Sequence, residues 1–210
     1  MCQVGLFNIC SLNIFANRLQ QMEQLLGSTL SVTAEDGNVY DIPTNEHLQN
    51  KKTIMLYFSA HWCPPCRQFT PVLISKYMNR KDKSVEVIFI SSDRDQTAFD
   101  QYFGDMPWSA LPFHNRSLKN MISTKFGVRG IPSLVILDGN GALITTEGRG
   151  KESNFFDGAV SSKSHVPIND IDKDDSTTGD CYSSCCVIFS VLFVILGLII
   201  VAGDPRLHDK

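Results

Sequence analysis

Apolar positions in this chain fall in short blocks divided by polar turns, until one long apolar run closes the sequence. Residues 53–60 and 85–91 are near-continuous apolar blocks, the pattern of strands buried on both faces. Residues 30–33 and 38–40 flank Glu35-Asp36-Gly37, which predicts a hairpin. Residues 65–79 read as a helix, and Pro71 inside it predicts a kink near Phe69 and Thr70. Residues 95–103 and 117–126 read as helices, the second capped by Ser117 and stopped by Gly127. Residues 133–137 and 142–146 are strands joined across Asp138-Gly139-Asn140-Gly141, a hairpin signal. Residues 151–160 supply a last helix. The order β, β, then βαβα, α, ββ, α predicts an α/β protein with a central mixed β-sheet flanked by helices.

The terminal run changes the picture of the whole chain. Residues 187–202, VIFSVLFVILGLIIVA, are all apolar or small, and only a short tail, 204–210, follows. With its flanks, 185–203 is long enough to cross a bilayer as a transmembrane helix. A buried core helix is the alternative, but the stretch has no polar face. A glycosylphosphatidylinositol signal would need a secretory leader, and the first basic residue, Arg18, follows the early apolar residues instead of preceding them. Residues 161–184 are polar, with SSKSH and NDIDKDDSTTGD, and read as a flexible stalk. The globular part is therefore 25–160. Residues 1–24 form an N-terminal extension, read first as a packed helix, then as a membrane-touching segment or a transit peptide.

Composition narrows the function. A formal net charge of −3 with no long basic run argues against a nucleic-acid surface. Seven cysteines, unevenly spread, do not make a secreted disulfide scaffold. Cys2 and Cys10 lie early; Cys181, Cys185 and Cys186 adjoin the terminal run and are candidates for S-acylation or inert thiols at a membrane edge. Cys63 and Cys66 form a pair inside Trp62-Cys63-Pro64-Pro65-Cys66. A Cys at a strand-to-helix junction meets unpaired N–H groups and the positive end of the helix dipole, which favour thiolate. The second Cys lies one turn on, within reach of the first sulfur. The pair reads as a reversible dithiol/disulfide. Half a zinc site is the alternative, but no second ligand pair lies in the domain.

The run FSAHWCPPCRQFTP, Phe58 to Pro71, resembles the tryparedoxin/nucleoredoxin branch of the thioredoxin superfamily. Met106-Pro107-Trp108, Leu111-Pro112-Phe113 and the run from Phe126 to Leu134 carry the same resemblance, which covers residues 28–157. One compact redox module, and Thr145-Thr146 followed by Arg149, resemble the tryparedoxin side of that branch. The resemblance implies a thioredoxin-like fold. It implies that Cys63 attacks and Cys66 resolves, and that the redox-active disulfide works without a bound cofactor or metal.

Further roles follow from the same resemblance. Trp62, Pro64 and Pro65 frame the sulfurs and meet the partner; for Trp62, core packing is the alternative. Ile131-Pro132 resembles the cis-proline loop, where Ile131 pairs with an extended substrate. Ordinary thioredoxins carry a buried Asp six residues before the first Cys, and Tyr57 stands there instead. Asp93 is the candidate general acid/base for Cys66, with a helix N-cap as the equal alternative. Arg67, Arg149 and Asp95 are candidates for contacts with trypanothione, the dithiol co-substrate of tryparedoxins; solvated surface charge is the alternative for Arg149 and Asp95. Glu147 stands where the family often has a second Arg, so dithiol chemistry is more firmly implied than trypanothione specificity.

The expectation is a tail-anchored disulfide reductase whose redox domain faces the cytosol, on the mitochondrial outer membrane or the endoplasmic reticulum. Its partners would be trypanothione or a similar dithiol, peroxiredoxin-type and glutathione-peroxidase-type peroxidases, and other disulfide proteins. Two alternatives remain: a nucleoredoxin-like reductase that does not use trypanothione, and a membrane-held redox adaptor.

Overall fold

The computed structural model describes residues 17–34 and 37–158. Helix α1 spans residues 17–26. It is followed by β1 (Thr29–Thr33), β2 (Val39–Pro43), α2 (Thr44–Leu48), β3 (Thr53–Ser59), α3 (Pro64–Met78), β4 (Val85–Ser91), α4 (Gln96–Phe103), β5 (Ser109–Ala110), α5 (Arg116–Lys125), β6 (Ser133–Asp138), β7 (Leu143–Thr145) and α6 (Glu152–Phe156). The stalk, the terminal apolar run, the tail and Cys181, Cys185 and Cys186 lie outside the described residues. No helix among the described residues is long and apolar enough to cross a membrane.

Seven strands form one mixed sheet in the order β2-β1-β5-β4-β3-β6-β7. The central strand β3 pairs parallel with β4 and antiparallel with β6. Period-two alternation explains how apolar blocks serve both faces. Met55, Tyr57, Val87, Phe89, Leu134 and Ile136 point to one core, shared with Leu73 and Tyr77 of α3, Phe99 and Phe103 of α4, and Phe156 of α6. Ile54, Leu56, Phe58, Ile88, Ile90, Val135 and Leu137 point to the other, shared with Met22, Leu25 and Leu26 of α1 and Ile122 of α5. Burying a large apolar side chain contributes about 1.5–3 kcal/mol, so these two layers hold the central strands rigid. Helix α1 is thus part of the fold. Arg18 fastens it further, donating to the carbonyls of Gly139 and Lys51.

One local expectation is corrected. Helix α5 starts at Arg116, with Asn115 in the cap position and no side-chain cap, so Ser117 lies inside the helix. Helix α3 spans Pro64 to Met78 with Pro71 inside it, as the sequence indicated. Helix α2 and strand β5 were not anticipated; both are too short to show a hydrophobic period.

Candidate active site

The dithiol lies at one end of the central strands, where β3 and β4 end and β6 begins. Phe58 pairs with Ser133 and Ser59 with Ser91, so the loops after β3 and β4 and before β6 meet there. Cys63 is the N-cap residue of α3, and its Sγ accepts a hydrogen bond from the Cys66 N–H at 3.3 Å. A thiolate at this cap is opposite in sign to the helix's positive end. Prolines fit the next two positions because N–H groups there would lack an intrahelical partner.

Cys63 and Cys66 are joined as a disulfide, with Cα atoms 5.2 Å apart. Cys66 is fully buried, while Cys63 retains 4% exposure. A partner therefore reaches the Cys63 sulfur first, which gives the two cysteines different tasks. The Ile131–Pro132 peptide is cis, and the Ile131 carbonyl oxygen lies 3.9 Å from Cys63 Sγ. Ile131 also packs on the Ala60, Cys63 and Cys66 cluster.

Trp62 is not a core residue. It is 51% exposed, and its Nε1–H donates to the Ser92 carbonyl at 3.0 Å. Its exposed position, one residue before Cys63, suits contact with a partner. Pro64, Pro65 and Arg67 are exposed on the first turn of α3. Arg149 donates from Nη1 to the Pro132 carbonyl at 2.9 Å, and its guanidinium carbon lies 5.8 Å from the centre of the Phe69 ring. It is therefore attached to the cis-proline loop.

The helix-cap role weighed from sequence for Asp93 falls to Asp95 instead. Asp95 is the N-cap of α4, accepting from the Ala98 N–H at 2.9 Å, and is exposed. Asp93 is 3% exposed and is no helix cap. Its Oδ1 accepts from the His61 N–H at 2.7 Å and its Oδ2 from the Ser91 hydroxyl at 2.8 Å. Asp93 thus ties the loop after β4 to the residue preceding Trp62. Arg116 donates to the Ser91 carbonyl at 3.2 Å. Burial holds the Arg116 guanidinium below its ordinary range, with Asp93 acting in the opposite direction.

Beneath Cys66 lies a set of buried hydroxyls that sequence reasoning reached only at Tyr57. Thr70 Oγ1 donates to the Cys66 carbonyl at 3.0 Å. The Tyr57 and Tyr102 hydroxyls lie 2.7 and 2.5 Å from Thr70 Oγ1, and the Tyr57 hydroxyl also reaches the Cys66 carbonyl at 3.5 Å. Ser59 Oγ lies 3.1 Å from the Tyr102 hydroxyl. Burial, the largest influence, pushes the Tyr57 phenol well above its ordinary range, so it remains a donor. Thr70 was legible as a residue one turn beyond Cys66; nothing in sequence pointed to Ser59 or Tyr102.

Fold and site together define a dithiol protein with an α/β architecture of the thioredoxin type. The family described as "Thioredoxin-like" matches residues 50–143. The chain is 46% identical over 110 residues to tryparedoxin of Trypanosoma brucei brucei, covering 51% of this chain and 76% of that protein. It is 45% identical over 96 residues to nucleoredoxin of Bos taurus, covering 45% of this chain and 22% of that one. The chain therefore spans less than a quarter of the nucleoredoxins it matches. A solved structure, tryparedoxin II complexed with glutathionylspermidine, superposes with a TM-score of 0.56 at 33% identity, covering 68% of this chain and 96% of that one. The chain belongs to the thioredoxin-like family of oxidoreductases, with tryparedoxin and nucleoredoxin as relatives.

Proposed function

We propose that this protein is a tryparedoxin-like disulfide reductase that carries electrons from a low-molecular-weight dithiol to protein disulfides. The observation that carries the reading is the Cys63–Cys66 pair at the head of α3, with only Cys63 open to a partner. In the reduced protein, the Cys63 thiolate attacks one sulfur of a substrate disulfide. The substrate S–S bond breaks, a Cys63–substrate disulfide forms, and the departing sulfur takes a proton. Cys66 then loses its proton and attacks Cys63 Sγ. The second substrate thiol leaves, the Cys63–Cys66 bond closes, and two electrons have passed to the substrate. A dithiol such as trypanothione restores the pair by the reverse exchange.

Ile131 would present its backbone to an extended substrate strand beside Cys63, with Trp62 supplying an apolar face. Arg67, Arg149 and Asp95 are proposed contacts for the dithiol co-substrate. Peroxiredoxin-type and glutathione-peroxidase-type peroxidases are the proposed acceptors. The length and apolar character of 185–203 support a membrane span; resistance of the full chain to alkaline extraction from membranes tests it.

A nucleoredoxin-like reductase indifferent to trypanothione is the second reading, favoured by the 45% identity to nucleoredoxin. Insulin reduction by the protein, driven by trypanothione or by glutathione, separates the two. Faster turnover with trypanothione supports the first reading, and equal turnover supports the second. No turnover with any thiol overturns both.

A further inference from the structure

Three arginines ring the dithiol, although the chain as a whole carries a net charge of −3. Arg67 is exposed on the first turn of α3, beside Cys66. Arg94 is exposed in the loop after β4, its guanidinium carbon 5.8 Å from the centre of the Trp62 ring. That distance is within cation–π range, so the exposed ring gives Arg94 a seat. Arg149 rests on Phe69 and the Pro132 carbonyl, as described. Each of the last two cations is therefore placed by an aromatic ring beside the site.

The neighbouring carboxylates are not ion-paired with them. Asp93 is buried and committed to the His61 N–H and the Ser91 hydroxyl. Asp95 caps α4. Glu147 is paired with Lys151 at 3.7 Å. Among the described residues, none of the three arginines has a carboxylate within 4 Å.

Arg94 follows β4 and Arg149 is bound to the loop that precedes β6, so the two cations flank β3 and the dithiol. Resting on the reductase reading above, we infer that Arg94 is a specificity-determining residue. With Arg149 and Arg67 it selects protein disulfides whose cysteine lies in an extended acidic segment, with carboxylates on both sides. Trp62 is the floor on which Arg94 presents its charge. The redox step is the Cys63–Cys66 disulfide exchange, and the arginines alter only how tightly the acidic segment docks.

The test uses the full-length reduced protein and three disulfide peptides differing only in the residues flanking cysteine: Asp, Ser or Lys. Rates of peptide reduction are followed at low and high salt, with oxidised glutathione as a small carboxylate-bearing comparison. The acidic peptide should react about tenfold faster than the neutral one at low salt, as expected for a few exposed charge pairs. High salt should shrink that advantage. R94Q should lower the acidic-to-neutral ratio about threefold, R94E should abolish it, and R94K should keep it. Equal rates on acidic and neutral peptides, or an unchanged ratio in R94E, overturn the inference. Oxidised glutathione outpacing the acidic peptide overturns its assignment to a protein segment. Failure to reduce any of the disulfides overturns the reductase reading itself, and this inference with it.

Discussion

The carboxylate of Asp93 accepts the backbone N–H of His61 at 2.7 Å and so couples the end of β4 to the loop that carries the dithiol. A buried N–H left without an acceptor costs about 1–3 kcal/mol. Asp93→Ala should lower unfolding stability by that amount. Asp93→Asn, which keeps a carbonyl oxygen for His61, should lose less. The resolving rate against pH then separates fastening from proton transfer. If Asp93 serves Cys66 as an acid/base, Asp93→Asn flattens the profile; if it only fastens the loop, the profile keeps its shape.

Cys66→Ser should leave Cys63 able to attack and unable to release. Covalent complexes with partner proteins should accumulate in extract, migrate apart on addition of reductant, and disappear when Cys63→Ser is added. A membrane-held adaptor would retain the same partners after Cys63→Ser alone, so pull-down with that variant distinguishes the two.

Tyr57 occupies a core position, and its hydroxyl serves Thr70 beneath the Cys66 carbonyl. Tyr57→Phe removes this buried hydroxyl while the Tyr102 hydroxyl still reaches Thr70. Urea unfolding should show a loss of about 1 kcal/mol. The rate of disulfide exchange should change by less than about twofold, a small fraction of a tenfold step. A tenfold loss would show that the hydroxyl set moves the Cys66 proton.

His47 gives the fold a pH dependence away from the active site. Burial, the largest influence, lowers its pKa below the ordinary 6.5; Glu86 acts upward and Lys51 downward. The unfolded chain then binds the imidazole proton more readily than the folded one. Stability contributed by the neutral form is complete above about pH 6.5 and is lost as pH falls toward the folded-state value. Melting temperature should fall more steeply between neutral pH and pH 5 in the native chain than in His47→Gln. Identical slopes would remove His47 from the account.

Much of this was legible before any coordinates. The strands at 53–60 and 85–91 announce themselves because both faces are buried, and β3 and β4 occupy nearly those spans. Gly127, expected as a helix stop, adopts φ 61° just past α5, where a left-handed residue releases the chain. What stayed hidden depends on tertiary contact. Strand β5 is two residues long and exists because β4 and β1 flank it. Asp95 drew notice as a substrate contact, yet the start of α4 at Gln96 gives it a capping task. Nothing in the sequence singled out Arg94, because its place beside the exposed Trp62 ring is a tertiary contact.

The most direct test concerns the sulfur at the head of α3. Reduced protein is treated with iodoacetamide across a pH series, and modification of Cys63 is followed by peptide-resolved mass spectrometry. Free cysteine has a pKa of about 8.5. The account predicts a half-maximal rate at least about one unit below that for Cys63, with Cys66 protected by burial. A Cys63 profile centred on the value for free cysteine would contradict it.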